Sequence, residues 1–150
     1  MVITAGLARK PGMSREELLA RNARILKDVC LNIKELAKNA IVIVVTNPLD
    51  IMTLYALSIT GFKPGKLFGM GISLDAARFA NLIAQELVLP STDIEALVIG
   101  AHGEGMLPLP RFTKVKGVLL DEFIDDKKIE SLVSRTIGRG AEIVAGLGTG

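Results

Sequence analysis

Residues 40–48 read AIVIVVTNP, and this stretch decides the expected fold. The unbroken, mostly β-branched run from Ala40 to Thr46 is typical of a strand that is buried on both faces, as in a parallel sheet. Asn47 can cap a helix, and Pro48 suits a helix's first position because the N–H that proline lacks would have no partner there. The stretch therefore predicts a parallel strand that leads directly into a helix.

Strands and helices alternate on both sides of this stretch. Ser14 and Glu17 form a capping box that opens a helix, and Gly61 closes the helix that begins near Pro48. The alternation implies right-handed βαβ units and a parallel sheet in the first third of the chain. The capped helix is expected to end near Ala37. The other predicted strands are at Met1 to Thr4, Lys66 to Met70 and Ile94 to Ala101, and the other predicted helices are at Leu74 to Leu87 and from Asp126 to about Leu147.

The pattern changes where two glycines flank Met70, and a domain boundary is expected in the segment 68–73. Beyond it, prolines and a glycine break residues 106–120 into shorter strands, which we expect to be antiparallel. The sequence therefore predicts an α/β chain with domains at residues 1–69 and 70–150. The helix at Leu74 to Leu87 is expected to face the core with the side chains of Ala77, Ala80, Ile83, Ala84 and Leu87.

Composition and charge exclude several classes of protein. The net charge of +2 is too small to suggest binding to nucleic acid or to an anionic membrane surface. No apolar run approaches the ~18 residues of a membrane span, and no export signal opens the chain. Cys30, the only cysteine, fits a small core residue in a reducing compartment such as the cytoplasm.

His102 is the only histidine in the chain, and it lies in Gly-Ala-His-Gly-Glu-Gly after an apolar run. An imidazole exchanges protons near neutral pH, which suits the reduction of a ketone by hydride. Asp75 and Arg78 are three residues apart, so both can project from one helix face. The carboxylate could fix the tautomer of His102, and the guanidinium could bind a substrate carboxylate. The alternatives are a structural histidine and an ordinary surface ion pair.

Arg9 and Arg15 stand on either side of Pro11 and Gly12. A glycine-containing loop with two cations can close over an anion and exclude water, although a solvated basic loop is the simpler explanation. Asn47 follows a strand end of the kind at which α/β sheets bind ligands. It can serve as a helix cap, as a ligand contact, or as both.

The sequence contains no dinucleotide phosphate loop and no metal-binding motif. Gly69-Met70-Gly71 and Gly103-Glu104-Gly105 lack the third glycine of such a loop, and the glycines after residue 145 follow a helix instead of opening one. With one histidine and one cysteine, a metal site is not expected.

Five segments of the chain together resemble the lactate and malate dehydrogenase family. They are Val2 to Gly6, Arg9 to Arg15, Val45 to Asp50, Leu74 to Phe79 and Gly100 to Gly103. They occur in the family's order, and the resemblance covers essentially the whole chain. It implies the second half of a Rossmann-type parallel sheet, followed by the first part of an α/β substrate domain.

The resemblance implies a role for each matching residue. His102 would be the proton donor and acceptor, with Asp75 as its carboxylate partner, and Arg78 would grip the C1 carboxylate of the substrate. Arg15 would polarise the reacting carbonyl, and Asn47 would hydrogen-bond the substrate and the nicotinamide ribose. The residues implied on the nicotinamide side of NAD are Thr4, Ala5, Gly6, Asn22, Val45, Thr46 and Asn47.

Arg9 bears on the choice of substrate. Malate dehydrogenases carry arginine at this loop position, whereas lactate dehydrogenases usually carry glutamine, and the loop resembles that of the lactate-dehydrogenase-like branch of malate dehydrogenases. The second carboxylate of oxaloacetate needs a cation in a closed site, because an unpaired buried charge is costly. The resemblance therefore implies reversible NAD-dependent oxidation of L-malate to oxaloacetate, with a lactate-type 2-hydroxyacid dehydrogenase as the alternative.

The resemblance also implies that the chain is truncated at both ends. The family's phosphate loop would precede Met1, and further substrate-domain segments would follow Gly150. An inactive fragment that folds only with a partner segment is therefore another alternative, and the choice between NAD and NADP stays open. Glu104 and Ala101 differ from the family's usual Asp and Gly, at positions outside the proton relay. The family implies a homo-oligomer, either a dimer or a tetramer.

Overall fold

The computed structural model describes residues 1–8 and 12–148, which fold as two compact units. One unit comprises Met1–Gly71 with the end of the chain from Ile143, and the other comprises Ile72–Glu142. Both units combine helices with strands, which confirms the expected α/β class. The expected domains at residues 1–69 and 70–150 stay a prediction.

A parallel sheet forms the centre of the first unit. In their order across the sheet, its strands are β1 (Val2–Ile3), β2 (Val42–Val44) and β3 (Leu67–Gly69). Val2 pairs with Ile43, and Val42 pairs with Leu67, in parallel register on both edges of β2. β2 has a parallel neighbour on each edge, and its side chains Val42 and Val44 are buried on one face. On the other face Ile43 is only partly buried and the preceding Ile41 is 59% exposed, so the expectation that this strand is buried on both faces is wrong.

Local sequence signals correctly predict where the first helix of this unit begins and where the second ends. The first is α1 (Arg15–Leu36), and its capping box is present: Ser14 Oγ accepts from the Glu17 N–H at 3.0 Å, and Glu17 Oε2 accepts from the Ser14 N–H at 3.1 Å. The second is α2 (Leu49–Thr60), which ends at Gly61 in the left-handed region with a φ of 68°. Glycine suits this position because a side chain would be strained there.

The expectation that Asn47 caps α2 is wrong. The capping residue is Pro48, whose carbonyl accepts from the Met52 N–H at 2.9 Å. The carbonyl of Asn47 instead accepts from the side chain of Asn22 at 2.7 Å. The first helical hydrogen bond therefore forms one residue later than the sequence suggests, and Asn47 belongs to the loop.

The core of the first unit lies between the sheet and the two helices, which pack against each other. Cys30 is buried in this core, as expected, and burial raises the pKa of its thiol. The buried apolar side chains of the cluster are Ile3, Leu26, Cys30, Ile33, Val42, Val44, Leu49, Met52, Ala56 and Leu67.

The second unit is built from two helices and antiparallel strands, which confirms the antiparallel pairing expected for residues 106–120. Its helices are α3 (Ile72–Leu87) and α4 (Asp126–Leu147), the latter continuing past the end of the unit. One sheet has the order β4 (Ile94–Glu95), β7 (Lys114–Val115), β8 (Val118–Leu119), and the other is a hairpin of β5 (Val98–Gly100) and β6 (Met106–Pro108).

Two details of this unit differ from the sequence-based expectation. The single strand expected from Ile94 to Ala101 is two strands, because β4 pairs with β7 whereas β5 pairs with β6. On α3, Ala77 is exposed and Leu87 only half-buried, and the buried stripe instead contains Phe79 and Leu82. The helix begins earlier than expected, at Ile72, and Asp75 lies on this buried stripe.

None of the helices formed by residues 1–8 and 12–148 combines the length and apolar composition needed to cross a lipid bilayer.

Candidate active site

Asp75 and His102 are hydrogen-bonded in the second unit, although 27 positions separate them in sequence. The Nδ1 atom of His102 lies 2.7 Å from Oδ2 of Asp75. The Asp75 side chain is 0% exposed and that of His102 is 16% exposed. A carboxylate and an imidazole so close in a largely buried place interact strongly, because little water is present to screen them.

Arg78 contacts the other oxygen of the same carboxylate. Its Nη1 atom donates to Asp75 Oδ1 at 3.2 Å, and its side chain is 21% exposed. Asp75 also lies in the first turn of α3, where the helix dipole stabilises negative charge. A buried carboxylate needs such partners, and Asp75 receives one on each oxygen.

A tight turn at the tip of the β5–β6 hairpin carries His102. Gly100 has a φ of 92°, and a Cβ atom at this position would lie 2.5 Å from the carbonyl oxygen of Gly105. The Ala101 N–H donates to that same oxygen at 3.3 Å, which closes the turn. Gly100 is therefore required both by its backbone conformation and by the close approach of the returning strand.

The pairing with Asp75 determines what His102 can do chemically. When Nδ1–H donates to the carboxylate, Nε2 is the ring nitrogen that gains and loses a proton. A neutral ring then accepts a proton at Nε2, and a charged ring donates one from the same atom. The assignment of the proton to Nδ1 follows from the hydrogen-bond partner, since a carboxylate only accepts.

In the first unit, the loops after β1 and β2 approach each other closely. Thr46, which is buried, donates through Oγ1 to the carbonyl of Ala5 at 2.8 Å. A Cβ atom at Gly6 would lie 2.8 Å from Cγ2 of Thr46, so a larger residue would push the two loops apart. These loops lie at the carboxyl ends of parallel strands, where α/β sheets bind ligands.

Asn22 of α1 joins the same two loops. Its side chain is only 1% exposed. Its Oδ1 accepts from the Leu7 N–H at 2.7 Å, and its Nδ2 donates to the carbonyls of Leu7 at 3.2 Å and Asn47 at 2.7 Å. The structure thus brings together five of the residues expected on the nicotinamide side, namely Ala5, Gly6, Asn22, Thr46 and Asn47.

The remaining expected site residues are placed as follows. Thr4 is exposed and Val45 is half-buried, and the Val45 N–H donates to the carbonyl of Ile3 at 2.9 Å. Arg9 lies outside the described residues. Arg15 begins α1, and its side chain lies outside the description. Within residues 1–8 and 12–148, no cluster of His, Cys, Asp or Glu side chains is arranged to hold a metal ion.

Sequence reasoning missed the residues that hold the hairpin of His102 at its base. Thr113 is completely buried, and its Oγ1 donates to the carbonyl of Leu109 at 3.0 Å and accepts from the Leu97 N–H at 3.4 Å. Leu109 in turn donates its N–H to the Leu97 carbonyl at 2.8 Å. A single threonine between short strands gives no sequence signal of this role. Gly100, two residues before His102, is a sequence signal of the tight turn.

Comparison with known proteins agrees with this architecture. The model of the lactate/malate dehydrogenase NAD binding domain matches residues 1–69, and that of the lactate/malate dehydrogenase alpha/beta C-terminal domain matches residues 72–148. The malate dehydrogenase of Methanosarcina mazei is 56% identical over 144 residues, which are 96% of this chain and 47% of that protein. The chain therefore spans about half the length of the curated relatives that it matches.

Solved structures show the same relationship. The malate dehydrogenase from Aeropyrum pernix has a TM-score of 0.94 and 42% identity, over 99% of this chain and 48% of that one. The Cryptosporidium parvum lactate dehydrogenase, solved with lactic acid and nicotinamide adenine dinucleotide, has a TM-score of 0.92 and 38% identity, over 99% of this chain and 49% of that one. These matches confirm the resemblance inferred from the sequence motifs and the fold expected from it. The chain belongs to the lactate/malate dehydrogenase family.

Proposed function

We propose that this chain contributes the proton relay and the nicotinamide side of an NAD-dependent malate dehydrogenase, which interconverts L-malate and oxaloacetate. The observation that carries the proposal is the Asp75 carboxylate, which is shared between His102 at 2.7 Å and Arg78 at 3.2 Å. This arrangement places a proton-exchanging group and a carboxylate-binding group at fixed positions around one buried anion. A 2-hydroxy acid offers both of their targets, a hydroxyl proton and an adjacent carboxylate.

His102 moves the proton in this proposal. During oxidation of malate, Nε2 accepts the hydroxyl proton, and the resulting imidazolium is stabilised by Asp75 through Nδ1. During reduction of oxaloacetate, Nε2 returns the proton to the carbonyl oxygen. Because Asp75 is buried and hydrogen-bonded, it holds the ring in one orientation for both directions.

Arg78 orients the substrate. One of its N–H groups is used by Asp75, and a guanidinium has five, so two others can bind the substrate's C1 carboxylate side by side. Arg15 is proposed to polarise the reacting carbonyl, and Asn47 is proposed to hydrogen-bond the substrate.

The loops after β1 and β2 fit the nicotinamide side of NAD, which accepts a hydride when it is bound. Two observations support this fit. A Cβ atom at Gly6 would meet Thr46, and both loops lie at the carboxyl ends of parallel strands. In the proposal Thr4 to Gly6 and Val45 to Asn47 form this side together with Asn22. Assembly into dimers or tetramers is a further expectation from the family, and a cytoplasmic location is expected from the free thiol of Cys30.

The substrate is proposed from the sequence at Arg9 and from the relatives. The curated relative named above is a malate dehydrogenase, whereas a lactate dehydrogenase also occurs among the similar solved structures. A buried guanidinium at Arg9 would pair with the second carboxylate of oxaloacetate, and pyruvate would leave this cation without a partner.

Comparing the two keto acids tests the proposal. With the protein at its full natural length and NADH, kcat/KM for oxaloacetate should exceed that for pyruvate by ~100-fold or more. Arg9→Gln should shift this ratio at least ~10-fold toward pyruvate, whereas Arg24→Gln, on the exposed side of α1, should leave it unchanged. A preference for pyruvate would indicate a lactate-type enzyme instead. If the protein turned over neither keto acid, the proposal would be refuted.

A further inference from the structure

We infer that Thr113 is a positioning residue, whose hydroxyl sets the tilt of the β5–β6 hairpin and thereby the place of His102 at the tip of that hairpin. The inference rests on the proposed function, because the proton transfer proposed above is what makes the place of His102 important. Thr113 is completely buried at the opposite end of the hairpin from His102, so it acts through the hairpin and not on the substrate.

Thr113 lies where the two small sheets of the second unit are connected. It immediately precedes β7, which pairs with β4, and the chain runs from the end of β4 through Leu97 into β5. Leu97 stands opposite Leu109 at the base of the hairpin, one step beyond the paired residues Val98 and Pro108. Polar contacts from Thr113 to Leu97 and Leu109 therefore connect the hairpin to the neighbouring sheet.

The Thr113 hydroxyl takes the place of one hydrogen bond of the strand ladder. Two opposed residues of an antiparallel pair normally exchange two N–H···O bonds. The Leu109 N–H donates to the Leu97 carbonyl at 2.8 Å, whereas the return connection runs through the hydroxyl. Thr113 Oγ1 accepts from the Leu97 N–H at 3.4 Å and donates to the Leu109 carbonyl at 3.0 Å. A buried hydroxyl thus holds one side of the hairpin base open.

Loss of this hydroxyl would change the base of the hairpin. Thr113 is 0% exposed, which leaves little room for water to replace the hydroxyl. The Leu97 N–H and the Leu109 carbonyl would then either bond directly to each other or stay unpaired in a buried place, which is costly. Direct bonding would close the gap and rotate the hairpin, and unpaired groups would loosen it. Both changes displace the tip of the hairpin.

A small rotation at the base becomes a larger displacement at the tip. His102 lies five positions after Leu97, and at ~3.3 Å per residue this stretch spans up to ~16 Å. A rotation of ~3° would move the ring by ~0.9 Å, which exceeds the ~0.5 Å within which reacting groups must be held. A displacement of this size would lengthen or misalign the 2.7 Å hydrogen bond between His102 Nδ1 and Asp75 Oδ2.

Backbone hydrogen exchange in the wild-type protein, at its full natural length, tests the bridging hydroxyl without any variant. The Leu109 amide, which donates to the Leu97 carbonyl at 2.8 Å, is the internal reference. If the hydroxyl holds the Leu97 amide, the Leu97 and Leu109 amides should exchange at rates within ~10-fold of each other. A Leu97 amide that exchanges faster than this would overturn the inference.

Kinetics of Thr113→Val, which removes the hydroxyl and keeps the shape of the side chain, provide the second measurement. The matched control is Thr136→Val, because Thr136 is also 0% exposed and its Oγ1 donates to the Leu132 carbonyl at 2.8 Å within α4. Both substitutions should lower the unfolding temperature, but only Thr113→Val should lower kcat for oxaloacetate, by ~10-fold, with the NADH dissociation constant within ~2-fold of wild type. Thr113→Ser keeps the hydroxyl and should restore kcat to within ~2-fold of wild type.

The Nδ1 proton of His102 reports the same displacement without turnover. Its resonance, identified by its absence from spectra of His102→Asn, should exchange with water at least ~10-fold faster in Thr113→Val and at the wild-type rate in Thr136→Val. Unchanged kcat and proton exchange in Thr113→Val would overturn the inference, as would equal kcat losses in Thr113→Val and either Thr136→Val or Thr113→Ser.

Two outcomes need a further comparison. If Thr113→Val does not fold, Thr113→Ala and Thr136→Ala are compared by the same criteria. If the wild-type protein does not reduce oxaloacetate, the proposed function fails, and exchange of the His102 Nδ1 proton still decides whether Thr113 positions the ring.

Discussion

Replacing Asp75 by asparagine removes the charge of the relay and keeps its shape. The carboxylate and the imidazole are joined at 2.7 Å, with Asp75 0% and His102 16% exposed. For charge centres about 4 Å apart at an effective dielectric constant of about 20, the attraction is about 4 kcal/mol. This attraction acts on the charge that develops on the ring as the proton is transferred, and each ~1.4 kcal/mol lost from the transition state slows the reaction tenfold.

Two further effects of Asp75→Asn depend on the neighbours. The cation of Arg78, 3.2 Å from Oδ1, would no longer be balanced and would also disfavour a charged His102. An asparagine amide can donate to Nδ1, which would move the ring proton to Nε2 and leave the wrong tautomer. Relaxation and water entry offset part of the loss, so we expect kcat/KM to fall between ~100-fold and ~1,000-fold.

Steady-state reduction of oxaloacetate, followed through NADH absorbance, measures this loss. Asp93→Asn is the matched control, because Asp93 forms an ion pair with Lys116 at 3.6 Å that is more exposed and lies outside the relay. The control should change kcat/KM less than ~2-fold. The reasoning would be refuted by a decrease of less than ~10-fold for Asp75→Asn in a folded protein.

Three predictions concern stability. Val88 is 89% exposed with a φ of 54°, a conformation that penalises β-branched residues, so Val88→Gly should stabilise the protein by about 1 kcal/mol in denaturant titrations. Gly100→Ala should destabilise it by at least about 2 kcal/mol in the same assay, while Gly138→Ala, in open space on α4, should not. Burial raises the pKa of the Cys30 thiol, so the stability that the protonated thiol contributes is complete below the pKa of the unfolded thiol and is lost as pH rises through the pKa of the folded thiol. In Cys30→Ala, the free energy of unfolding measured against pH should lack this decline.

The sequence predicts much of this fold because the relevant signals are local. The capping box at Ser14 and the glycine at 61 depend on hydrogen bonds within one turn, and both lie where expected. The β-branched run around β2 predicts a parallel strand, and β2 pairs in parallel on both edges, although only the face of Val42 and Val44 is buried. The pairing of Asp75 with His102 was expected from their chemistry and is present in the structure.

The sequence-based errors concern contacts between distant residues. Asn47 is not the cap of α2, since Pro48 takes that position, and the Asn47 carbonyl accepts from Asn22, which is 25 positions away. The segment from Ile94 to Ala101 forms two strands because its two ends pair with different strands. The pattern of apolar residues along one segment does not indicate which strands it pairs with. Asp75 was expected on a helix face with Arg78, whereas its complete burial depends on the packing of α3 against neighbouring strands.

The most direct test of the central claim, that His102 exchanges the proton during hydride transfer, is a single-turnover measurement on His102→Asn. The variant should bind NADH with a dissociation constant within ~3-fold of wild type, while the rate of oxaloacetate reduction falls ~1,000-fold or more. This result would separate proton transfer from cofactor binding. A folded variant that reduces oxaloacetate at a rate near that of wild type would contradict the account.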